Sequence, residues 1–148
     1  MNNTRELIAQ NIVSVIRSMN DPRPVLVTRD PFNVEELAIT QFPAVLITTG
    51  NEERDTVSMG AGLRQSTINY IIRGFVRGVE LDTARNRLIE SIEEALDSDR
   101  YRDLGVSTVL NSQVTNIEVV ERQSPLAEIS ITFSVTYVFT RGAALSRA

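Results

Sequence analysis

Residues 128–141, EISITFSVTYVFTR, alternate between apolar and polar side chains almost without interruption. Successive side chains of an extended chain point to opposite faces. Ile129, Ile131, Phe133, Val135, Tyr137 and Phe139 therefore form one row. Ser130, Thr132, Ser134, Thr136, Val138 and Thr140 form the other. A strand this long needs neighbours for its backbone and a covering layer for its apolar row. Its hydroxyl row must face water, a ligand, a nucleic acid or another protein surface.

The covering layer is readable elsewhere. Over residues 3–19, Leu7, Ile8, Ile12, Val15, Ile16 and Met19 recur at helical spacing, and Asn3 with Glu6 suits an N-terminal cap. Asn20-Asp21-Pro22 ends that helix. A second helix is expected from Asp82, as its cap, to about Leu96, with Ala84, Leu88, Ile89, Ile92 and Leu96 as its buried stripe. Its wet side carries Arg87, Glu90, Glu93 and Glu94.

Further strands are expected at 24–28, at 43–49 (PAVLITT), over RQSTINYIIRGFVRGVE, around 106–110 and at 114–121. Residues 34–39 suit a short helical turn. Gly74 and Gly78 suit a bulge or bend. Leu104 is a possible anchor in the polar connection after the second helix. Residues 50–63, GNEERDTVSMGAGL, are polar and hold three glycines, so a mobile loop or arm is expected there. Residues 141–148 suit a flexible tail. The fold class is thus α+β: a mainly antiparallel sheet of four to five strands with two helices packed on one face. At 148 residues the chain suits one domain, placed at 1–140.

Composition removes several chemistries. The chain has no Cys, His or Trp, and all 15 of its basic residues are Arg. Thiol nucleophiles, Ser-His-Asp triads and zinc-type sites are excluded. No apolar run reaches the ~18 residues of a membrane span, and MNNTRELIAQN has neither a basic n-region nor a cleavage site. GAGL at 60–63 lacks a following Lys-Ser/Thr and precedes a strand, so it is not a phosphate loop. Glu52, Glu53 and Asp55, and then Asp97, Asp99 and Asp103, could supply oxygen ligands, but neither set has calcium-loop spacing. Both are read as solvated segments. A paired-carboxylate glycosidase is disfavoured by a content of only three Tyr and five Phe. No catalytic, cofactor or metal site is assigned, and the chain is expected not to be an enzyme.

Interaction surfaces are the better candidates. Arg73 and Arg77 share a strand face with Phe75 between them, a strip able to stack on bases or on protein side chains. A net charge of −4 favours protein over nucleic acid. Two helices cover one sheet face, leaving Ile71, Arg73, Phe75, Arg77, Thr132, Ser134, Thr136 and Val138 on the other. With Glu52, Glu53, Arg54 and Asp55 of the long loop, these are the candidate subunit or partner contacts.

The layout over about residues 5–139 resembles the tail terminator and neck (head–tail joining) proteins of tailed bacteriophages. The resemblance lies in order: an amphipathic first helix, the PAVLIT strand, a loop, INYIIRGFVRG, the helix DTARNRLIESIEEALDSD, YRDLGV, and paired strands ending SITFSVTYVF. It implies a ring-forming structural virion protein, commonly a hexamer, that caps the tail tube and joins it to the head connector or stopper. It also implies that DNA passes through the ring without specific binding, that assembly takes place in the host cytoplasm, and that no membrane is involved. Other neck, head-completion or minor tail roles, and a host protein-binding adaptor, are the alternative readings.

Overall fold

The computed structural model describes residues 4–56, 63–102 and 109–140. Element order is α1 (Thr4–Arg17), β1 (Leu26–Thr28), two 3-10 turns (Val34–Glu36 and Ile39–Gln41), β2 (Ala44–Thr56), β3 (Leu63–Arg77), α2 (Leu81–Asp97), β4 (Val109–Val120) and β5 (Leu126–Thr140). The strands form one sheet in the order β1-β2-β3-β5-β4. Among the described residues only β1 with β2 is a parallel pair; β2–β3, β3–β5 and β4–β5 are antiparallel.

Both helices pack on one face, as the apolar stripes require. Ile8, Ile12 and Ile16 of α1 and Leu88, Ile92 and Leu96 of α2 share one buried cluster with Ile47, Ile72, Ile131 and Phe133. Each fully buried aliphatic side chain there contributes about 1.5–3 kcal/mol. Tyr70 OH donates to Arg5 O at 2.9 Å and ties the start of α1 to the middle of β3. Among the described residues, no helix is long and apolar enough to cross a membrane.

Several local expectations change. Of the expected arm at 50–63, residues 50–56 belong to β2 and Leu63 begins β3, so Glu52, Glu53, Arg54 and Asp55 are ladder residues, while 57–62 lie outside the described residues. The register shifts between Thr49 and Glu52, which lets pairing continue beyond Gly50. A Cβ on Gly50 would lie 2.8 Å from Asn69 O, so the backbones approach too closely there for a side chain. Of the strand expected around 106–110 the described residues begin at Val109, from which β4 runs on through most of the strand expected at 114–121, with register shifts around Leu110 and Thr115. Gly74 makes no bulge. It leaves room for α2, since a Cβ there would meet Leu88 Cδ2 at 2.7 Å. Gly78 lies just past β3 with φ +137. The residue preceding α2 is Glu80, in the left-handed region, rather than Asp82, which pairs with Arg85 inside the helix. Asn3, Asp103, Leu104 and the tail at 141–148 lie outside the described residues.

Candidate interaction surface

The sheet face away from the helices is built by the even residues of β5 and the odd residues of β3. The register sets Arg73 beside Ser130, Ile71 beside Thr132, Asn69 beside Ser134, Thr67 beside Thr136 and Gln65 beside Val138. Strand parity placed Ile71, Arg73, Phe75, Arg77, Thr132, Ser134, Thr136 and Val138 on this face, and the register puts them there. The expectation that the whole face is open does not hold.

Its lower half is covered by the chain itself. The segment between β1 and β2 folds across it, so Val34, Ala44, Leu46, Phe75 and Leu126 form a second small core with Phe32, Leu37 and Phe42 at its rim. Phe75 is only 2% exposed and meets Phe32 edge-on at a centroid distance of 5.4 Å. It is a core residue and not a partner contact. The apolar residues of 32–46 needed a surface to cover, and this end of the sheet supplies it.

Arg73 is committed inside the chain as well. Its Nε and Nη2 each lie 2.8 Å from Oε2 of Glu128, which is 2% exposed. Arg122 Nε donates to the other oxygen at 2.6 Å. Both guanidiniums lie over the Phe75 ring, at 5.3 and 5.6 Å. A buried carboxylate needs such pairing, and the arginine planes close the cover over Phe75. Of the Arg-Phe-Arg strip only Arg77 is exposed.

The upper half of the face is open and uncharged on its two central strands. Ser134 Oγ donates to Asn69 Oδ1 at 2.5 Å, Thr67 and Thr136 hydroxyls lie 3.1 Å apart, and Thr115 Oγ1 lies 3.4 Å from Ser134 Oγ. These cross-strand bonds satisfy the row laterally and leave a flat polar surface.

Glu52 turns to the helix side. Its Oε2 accepts from Ser66 Oγ and from Tyr137 OH at 2.8 Å. Arg54 Nε lies 3.1 Å from that oxygen, and Arg5 Nε lies 3.0 Å from Oε1. Burial pushes the Glu52 carboxyl up, but the Ser66 and Tyr137 hydrogen bonds and the two arginines outweigh it and hold it below the usual range. Burial, then the bond to Glu52, raises the Tyr137 phenol. Arg54 also lies 4.5 Å over the Phe139 ring. Of the other former loop residues, Glu53 is exposed and stands opposite Thr67, and Asp55 stands opposite Gln65.

Sequence reasoning missed Glu128, Arg122 and Arg102. Glu128 lies near the start of a strand whose other polar residues are mostly hydroxylic, and its partners are visible only once the register is known. Arg102 is fully buried at φ +55, with its guanidinium 5.4 Å from the Phe133 ring centroid. Among the described residues, none of its side-chain nitrogens meets a hydrogen-bond acceptor. Burial lowers its pKa, against the opposing charges of Asp99 and Asp97.

Among the described residues, no group of three or more acidic side chains is placed to hold a metal ion. A groove of about 540 Å³ between α1 and β1 is lined by residues including Gln10, Ser14, Arg17, Thr28 and Asp30.

Neither the comparison with protein-family models nor that with curated proteins gives a match. Among solved structures the chain is similar to one described as the virion of a native gene transfer agent (GTA) particle. The TM-score is 0.54 and the identity 11%, over 93% of this chain and 96% of that one. At that identity the likeness is one of fold.

Proposed function

We propose, with that end-to-end likeness of fold as the premise, that this chain is a structural virion protein. In this reading it is a ring-forming tail terminator at the head–tail junction of a tailed phage. The observation that carries the reading is the coverage: the shared fold takes up nearly the whole of both chains, and the relative is part of a virion.

In this role the protein works by assembly. The helices brace one side of the sheet, and a ring of copies, six by the family resemblance, caps the tail tube and meets the head connector. The open upper half of the far face lines the channel. On β3 and β5 that stretch offers hydroxyls, amides, Ile71 and Val138 with no charged side chain. A wall without arginines lets DNA pass, because a row of arginines would bind phosphate. Arg77 and Glu53, both exposed, remain candidate contacts with a neighbour.

The test is assembly on tail tubes lacking a terminator. Electron microscopy should show rings at one end of each tube, and added tube subunits should no longer extend it. Binding to a head connector with none to tubes would replace the terminator reading by another neck role. Binding to neither would overturn the virion reading.

A further inference from the structure

The sheet ends in two long unpaired edges that match one another. β1 pairs only with Ala44–Leu46, so the outer edge of β2 from Ile47 to Thr56 has no strand beside it among the described residues. At the other side β4, Val109–Val120, pairs only with β5 among the described residues. Free backbone edges of this length recruit strands unless guarded. β4 has no Lys, Arg or Pro, its one charge is Glu118, and Ile117 and Val119 are 39% and 48% exposed.

Strand polarity selects the partner. Through the antiparallel pairs β2–β3, β3–β5 and β5–β4, strand β4 runs opposite to β2. Copies related by rotation about an axis along the strands all point the same way. β4 of one copy then meets β2 of the next as an antiparallel pair, and each copy uses both edges.

One register satisfies both edges. Set Glu118 opposite Thr48 and Gln113 opposite Glu53. Ile117 then meets Thr49 and Val114 meets Glu52, each pair on the helix side. The irregularity at Gly50 and Asn51 falls against that at Thr115 and Asn116. No like charges are opposed, and the pairing ends with Val119 opposite Ile47, because Thr28 of β1 already stands beside Leu46.

We propose that copies of this chain join by antiparallel addition of β4 to the free edge of β2 in this register, making one continuous sheet around the ring. This deepens the ring reading above and rests on it. Head-to-tail pairing closes only as a ring. Pairing of β4 with a second β4 stops at two copies and leaves the β2 edge bare.

The chain has no cysteine, so introduced thiols are the only ones. Two double variants place thiols face to face on the sheet side away from the helices: Thr48→Cys with Glu118→Cys, and Glu53→Cys with Gln113→Cys. Each is oxidised at high protein concentration and run without reductant, with circular dichroism confirming the fold. A ladder of linked copies is expected in both. It should exceed by at least about tenfold the yield of the crossed pair Thr48→Cys with Gln113→Cys, whose Cα atoms lie too far apart for a disulfide. Covalent dimers from Glu118→Cys alone would overturn the proposal in favour of β4–β4 pairing. Rings by light scattering with no ladder in either double variant would overturn the edge pairing and leave the ring reading standing. A monomer without a ladder, which also fails to gather on tail tubes, would overturn both.

Discussion

Arg73 places Nε and Nη2 each 2.8 Å from one oxygen of Glu128, 55 residues away in sequence. Arg122 holds the other oxygen, and both arginines lie over Phe75. This group closes the lower half of the far sheet face. Glu128→Gln should destabilise the chain by about 1–3 kcal/mol, and Phe75→Ala by about 3–5 kcal/mol. Urea unfolding measures both. A loss below about 0.5 kcal/mol in both would mean that this end of the sheet is not sealed as described.

Gly74 is set by α2. A Cβ there would approach Leu88 Cδ2 to 2.7 Å and Ile129 Cγ1 to 3.1 Å, both in the buried core. Gly74→Ala should cost about 1–3 kcal/mol. Combined with Leu88→Ala it should cost less than the sum of the two single changes, because the smaller residue vacates the same space. Strict additivity in thermal unfolding would contradict the contact.

Glu52 gives a pH signature. Its folded pKa lies below the unfolded value, so the stability it contributes is present above the ordinary carboxylate range. That stability is lost as pH falls through the depressed folded pKa. Between about pH 5 and pH 3 the wild type should therefore lose more stability than Glu52→Gln. Parallel curves for the two proteins would show that the carboxylate is not held by Ser66, Tyr137 and the arginines.

Arg102 is buried without a hydrogen-bond acceptor among the described residues. Replacing such a cation by an apolar chain of similar length removes a desolvation cost. Arg102→Met should leave stability unchanged or raise it by about 1–2 kcal/mol, whereas Arg102→Ala should lose packing over Phe133. A loss above about 2 kcal/mol in Arg102→Met would show that the charge itself is needed.

The fold was largely legible because its signals are local. The alternation from Ile129 to Phe139 and the helical stripes ending at Met19 and Leu96 each name an element and its buried side, and both helices lie on that side. What was not legible depends on contacts distant in sequence. Glu52 and Arg54 read as a polar loop because their partners, Tyr137 and Phe139, lie more than 80 residues away. Phe75 read as an exposed interface residue because nothing in the strand shows that Val34 and Phe32 will cover it. Parity placed Arg73 on the correct face, but only the register with β5 brings Glu128 beside it.

The most direct test of the central claim is the mass of the particle the chain forms at high concentration and on tail tubes, by light scattering and electron microscopy. The ring reading predicts a closed ring, of six 16.5 kDa chains by the family resemblance, seated at one end of each tube. A single 16.5 kDa chain at every concentration, absent from the tube ends, would contradict it.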